Sequence, residues 1–327
     1  MAEEKKKDGN LVSESIKEGF SVYNIPFIGC DYEKVYPAVF SVLPKERVTF
    51  EDFDLDTRIM SEVVCAAICH QINWDFLREE LLKYTEKNPA WLLPSNLAAI
   101  KANAIGAMLG SYHKAENVKA DERAKILHSV GNWAGQYEAI SDVFLDDGGK
   151  LKPKDEILQS LLACTAFSSD PEEKKMNLLL QKLETIPALQ GIGNYAKPAI
   201  DYHLLRFYLR RGLLFARTQK ATDYVSNPDV ERKESTVAGV RELVSQLLVQ
   251  TARYTVMDII SVNLVDWHVA RSVCTRECPD CNLSGQEAQW LKPLFERCPF
   301  YTTCMAKYHP SDKILYIVEP SYKGTSY

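Results

Sequence analysis

Nine cysteines are spread unevenly along the 327 residues, and five of them, Cys274, Cys278, Cys281, Cys298 and Cys304, fall in one stretch near the C-terminus. Thiolates are soft ligands, and four of them close either a tetrahedral zinc site or a [4Fe–4S] cluster. One ligand set is Cys274-x6-Cys281-x16-Cys298-x5-Cys304, and another takes Cys278-x2-Cys281 with Cys298 and Cys304. In a reducing compartment such a group favours a metal over disulfides. With all its sulfurs used as ligands the cluster needs no open position. Its expected role is therefore structural, stapling the C-terminal loop and aiming Arg271, Arg276 or Arg297 at a partner. Cys30, Cys65, Cys69 and Cys164 stand in apolar surroundings and read as buried thiols.

The carboxylates offer a second pattern. Asp201-Tyr202-His203-Leu204-Leu205-Arg206 and Asp266-Trp267-His268-Val269-Ala270-Arg271 both read D-x-H-x-x-R. In a helix, positions three or four apart share a face. Asp201 follows a loop containing Pro198, so capping a helix accounts for it as well as chemistry does. His203 and His268 read as helix-face or core histidines, and His70 and Trp74, four apart on an apolar stretch, as core. Lys174 and Lys175 follow Asp-Pro-Glu-Glu and read as solvated surface.

The elements that would hold these groups are mainly helical. Apolar residues return at three- and four-residue steps over 62–84, 96–109, 121–144, 153–167, 172–186, 203–217 and 237–270. Thr57 or Ser61 is the expected cap of the first helix and Asp121 of the third, which ends at Asp146-Asp147-Gly148-Gly149. Strand signals are confined to Val35–Val42 and Ile314–Val318, and Ala221–Glu234 reads as an exposed loop. The prediction is an all-α, two-lobed protein, with a flexible tail over 1–20, a helical domain over 21–272 and a cysteine loop with its tail over 273–327.

Composition narrows the function. Hydrophobic residues make up 46% and charged residues 25%, which excludes a disordered or collagen-like chain. A net charge of −5 argues against a surface that is basic throughout, although a local basic face is compatible with it. No apolar run is long enough to cross a membrane, and no apolar segment follows the charged MAEEKKKDGN start, so the expected location is the cytoplasm.

Ile200–Leu214 resembles the helix that carries the aspartate of helix-hairpin-helix DNA glycosylases, a pattern close to V-D-x-H-V-x-R-V-x-x-R-L-G. Cys274-x6-Cys281 and Cys298-Pro299-Phe300-Tyr301-Thr302-Thr303-Cys304 resemble the two ends of that family's iron–sulfur loop. The second and third cysteines are close together in the family and 16 residues apart here, so Cys278 stands as the alternate ligand. Leu189–Ala196 looks like the family's G-x-G phosphate-gripping turn, but no whole helix separates it from Asp201, and Pro198 disfavours helix at Lys197. Lys197 is not placed like the family's Schiff-base lysine. Cys274, Cys278 and Cys281 also match radical-SAM spacing, but at the end of a helical chain with no βα-barrel before it. Queuosine salvage nucleotide N-glycosylases are similar more diffusely over Arg123–Tyr137, the Lys174-Lys175 region, Asp201-Tyr202 and Val265-Asp266-Trp267.

The resemblance implies a helix-hairpin-helix glycosylase-like fold, a [4Fe–4S] cluster with structural zinc as the alternative, and hydrolysis of a base–sugar bond. A carboxylate beside the oxocarbenium-like cation stabilises it or takes a proton from the attacking water. Asp201 is the first choice for that carboxylate and Asp266 the second, with His70, Trp74, Tyr202 and Trp267 holding the base. The expected substrate is damaged or modified DNA, cut by a monofunctional mechanism. A free modified nucleotide is the first alternative, and a non-enzymatic, metal-stabilised binding module the second.

Overall fold

The computed structural model describes residues 19–22, 31–44, 48–170, 173–226, 234–275 and 279–308. It is mostly helical, and the all-α expectation holds. The described residues form two compact units, one of residues 19–44 and 200–308, the other of residues 48–199. The described part of the cysteine segment groups with the first unit.

In the second unit, a core of Ile59, Val63, Leu97, Leu127, Phe144 and Leu180 is closed by short helices, not by the long ones expected. The predicted helix over 62–84 is two helices, Leu55–Ile68 and Trp74–Lys87. Asp54, and neither Thr57 nor Ser61, caps the first, its Oδ1 accepting the Thr57 N–H at 2.9 Å. Gln71 turns the chain with φ of 56°, and Asn73 Oδ1 accepts the N–H groups of Asp75 and Phe76 to start the second. Asp121 lies inside the first turn of helix Ala120–Ala134, which Lys119 precedes with φ of 42°. This helix meets helix Pro94–Ala98 through Gly131, where a Cβ would stand 2.3 Å from Ala98 N and 2.5 Å from Pro94 O.

The first unit packs helices Tyr32–Ser41, Tyr202–Arg211, Glu234–Thr255 and Ile259–Ser272 around Tyr36, Leu205, Tyr208, Val244, Val265 and Val269. Of the Val35–Val42 strand signal, all but Val42 lies in helix Tyr32–Ser41: Tyr32, Tyr36 and Val39 are buried at helical spacing, and that burial outweighs β-propensity. The helix predicted over 203–217 stops at Arg211. Gly212, with φ of 74°, ends it, and Leu214–Ala216 pairs antiparallel with Phe20–Val22. Part of the loop expected over 221–234 is helix Gln219–Ser226, which buries Ala221, Tyr224 and Val225, and helix Glu234–Thr255 begins at its end. The stretch 237–270 breaks at Val256, with φ of 54°, and restarts at Asp258, whose carboxylate accepts the Ser261 N–H. The signal at Ile314–Val318 lies outside the described residues.

Candidate active site

Asp201 begins helix Tyr202–Arg211 in extended backbone, and its two oxygens have different partners. Oδ1 accepts the Leu204 N–H at 3.1 Å, closing the helix start, while Oδ2 accepts the indole N–H of Trp267 at 2.9 Å. Trp267 comes from helix Ile259–Ser272, so the carboxylate is fixed between two elements. It is 6% exposed. Around it stand half-buried rings: Tyr202 and His203 have centroids 4.2 Å apart, His203 meets Trp267 edge-on at 6.4 Å, and the Arg271 guanidinium lies 5.1 Å from the Trp267 ring. A nearly buried anion bordered by partly open aromatic faces can steady a cation and hold a planar group beside it.

Asp266, one residue from Trp267, points the other way and is fully buried. Tyr36 Oη donates to its Oδ1 at 2.7 Å, Tyr208 Oη donates to its Oδ2, and Arg211 Nη1 lies 3.8 Å from Oδ1. Burial pushes its carboxyl up to about 6, against the opposing pull of Arg211 and the two tyrosine hydroxyls. With both oxygens taken inside the core, Asp266 organises the first unit and offers no face to a substrate.

Cys274, Cys281, Cys298 and Cys304 gather in the same unit, while Cys278 lies outside the described residues. Cys298 N–H donates to Cys281 O at 2.8 Å, and Cys304 Sγ donates to Arg210 O at 3.6 Å. Arg210 Nη1 lies 3.5 Å from Cys274 Sγ. Burial pushes the Cys281 thiol up to about 11, and negative charge on Cys304 or Cys274 pushes the same way. Cys298 is also raised, chiefly by burial and then by the other three sulfurs, against the Phe300 backbone hydrogen bond, which pulls it down. Among the described residues, no three His, Cys, Asp or Glu side chains are placed as ligands of one ion.

The remaining candidates belong to the second unit. His70 follows the end of helix Leu55–Ile68, 2% exposed, with Nε2 3.3 Å from Glu122 Oε1. Burial, then Arg123, Lys175 and Lys119, push its imidazole down to about 2, so it is neutral. Arg123 fastens the surrounding backbone, donating to Ile68 O at 3.1 Å, Asn117 O at 2.7 Å and to Val118 O and His70 O. Trp74, at the start of the next helix, lies 5.4 Å from the Arg78 guanidinium and 5.3 Å from the Lys182 ammonium. The structure thus joins Asp201, Tyr202 and Trp267 and places His70 and Trp74 in the other unit. Lys175 is buried, not solvated, and burial lowers its pKa.

The glycine turn has its anion already. Gly191 N–H donates to both oxygens of Glu184 at 3.0 Å, and Gly193 N–H donates to Oε2 at 2.7 Å. Lys197 is paired on the surface with Glu173, 2.8 Å away. Sequence reasoning placed Arg206 in the D-x-H-x-x-R pattern without giving it a role and missed Arg210, although their spacing of four on one helix was the available signal. No protein-family model matches the chain, and no curated protein matches it at a significant level.

Proposed function

We propose that this chain is an N-glycosidase in which Asp201 serves the hydrolysis of a base–sugar bond, within a glycosylase-like helical fold. The observation that carries the reading is the Asp201 carboxylate, held by Leu204 N–H and Trp267 Nε1 beside half-buried Tyr202, His203 and Trp267. The C1′–N bond breaks, water oxygen bonds to C1′, and the departing base carries away the bonding electron pair. Asp201 stabilises the positive sugar and accepts the proton that water gives up, while the aromatic rings hold the base by stacking.

A free modified nucleotide is favoured over a duplex. The turn that in DNA glycosylases grips a phosphate through backbone amides is filled here by Glu184, and most non-specific DNA affinity comes from phosphate contacts. Damaged DNA is the second reading, supported by Cys274 and Cys304, which lie against the Asp201 helix at Arg210. Cys274, Cys281, Cys298 and Cys304 would hold the [4Fe–4S] cluster, or structural zinc, which supplies closure of the segment and no reaction step.

The test is base release, followed chromatographically, from a panel of modified nucleoside 5′-monophosphates and from duplexes carrying damaged bases. Asp201→Asn should lower turnover by about 100-fold or more while the circular dichroism spectrum is kept. Unchanged turnover in a folded Asp201→Asn variant refutes the assignment. Release from duplexes alone transfers the substrate to DNA.

A further inference from the structure

Of the three nearly fully buried arginines on helix Tyr202–Arg211, Arg206 and Arg210 stand one turn apart and reach the same strip of backbone. Arg206 Nε donates to Cys274 O at 2.8 Å and its Nη2 to Ala270 O at 3.3 Å. Arg210 Nη1 donates to Cys274 O at 3.3 Å and Thr275 O at 2.5 Å, beside Cys274 Sγ. Cys304 Sγ donates back to Arg210 O. This same helix opens with Asp201 bonded to Trp267. Between the two ends, Arg206 Nη2 lies 2.8 Å from His203 Nδ1, whose ring adjoins Tyr202 and Trp267.

We infer that Arg206 and Arg210 are positioning residues that transmit the state of the cysteine-bearing segment to the Asp201 carboxylate. The inference rests on the proposed role of Asp201. A buried guanidinium cannot give up its carbonyl partners without leaving a charge unpaired, so it follows them when they move. The helix between is a packed, hydrogen-bonded rod, and packed elements shift as units more readily than they deform. A change at Cys274 therefore reaches Asp201 by two links, through the helix itself and through Arg206, His203 and Trp267. A different role for the arginines is to cap the end of helix Ile259–Ser272, where cations are favourable. That role predicts lost stability but no signal at Trp267.

The indole N–H of Trp267 reports on Asp201 directly. The full chain, labelled with 5-fluorotryptophan, gives a fluorine resonance for each tryptophan, and Trp267→Phe assigns the one that matters. Cys274→Ser is expected to shift the Trp267 resonance and to speed exchange of its indole proton about tenfold as the bond to Asp201 loosens. In an Arg206→Lys/Arg210→Lys background, where the forked contacts are lost but the charges remain, Cys274→Ser should produce no further shift. Should that double variant not fold, Arg210→Lys alone serves, with a reduced response expected. A Trp267 resonance and exchange rate unmoved by Cys274→Ser, or moved equally in both backgrounds, overturns the inference. These readouts need no turnover, so failure of the coupling is distinct from failure of Asp201 to support hydrolysis.

Discussion

Two buried titratable side chains give the molecule opposite responses to acid. His70 has a folded-state pKa of about 2 against 6.5 in an open chain. Below 6.5 the unfolded chain takes up a proton that the native state refuses, so stability falls as pH drops through that window, by up to about 1.4 kcal/mol per pH unit. His70→Gln removes the proton uptake. Its urea midpoint should decline less between pH 6 and 4 (roughly the middle of that window) than that of the parent. Asp266 works the other way, because its folded value of about 6 lies above the ordinary 3.8. Between those values the native state holds the extra proton, so this group's contribution is present at low pH and is lost as pH rises. Asp266→Asn should abolish that slope. At neutral pH it also strands Arg211, 3.8 Å away in the core, and should cost about 3 kcal/mol in denaturant titrations.

Several helices end early because single residues break them, and one glycine decides how closely two of them meet. A Cβ at Gly131 would collide with the backbone of Pro94 and Ala98, which no rotamer change can relieve. Gly131→Ala should therefore cost about 3 kcal/mol or more by chemical denaturation, while Gly106→Ala, with open space around its Cβ position, should be tolerated. The same short-range causes explain what could be read from the sequence. Helical periodicity was visible nearly everywhere, but the interruptions at Gln71 and Val256 are non-glycine residues with positive φ, which carry no sequence mark. Their neighbours Asn73 and Asp258 did carry one, as caps. Tyr32, Tyr36 and Val39 held a helical spacing that β-branched neighbours obscured. Asp201 and Trp267 were legible separately as a cap and an aromatic. The hydrogen bond joining them spans 66 residues and only the packing of two helices makes it. His70 and Trp74, near in sequence, were grouped with them on chemical type alone.

At the scale of the whole molecule, the two units divide the chemistry, the first holding Asp201, Trp267 and the four gathered cysteines, the second His70, Trp74 and the Glu184-filled turn. Each has its own core, so a lesion in one should be felt there first. Cys298 makes the distinction measurable. It packs against the core of the first unit, its N–H is bonded to Cys281 O, and its neighbour Phe300 stacks edge-on with Phe207 at 5.5 Å. Cys298→Ser exchanges a partly buried sulfur for a more polar hydroxyl and removes a proposed metal ligand. A loss of about 2 kcal/mol corresponds to a Tm lower by roughly 3 °C for 327 residues unfolding together. Hydrogen exchange locates the effect: protection should fall over 202–211 and 259–272 and stay unchanged over 55–68 and 120–134. Elemental analysis of the same samples should show iron or zinc in the parent and less in the variant. Protection lost equally across both sets of helices would mean that the two units unfold as one, and that the cysteine segment supports the entire chain.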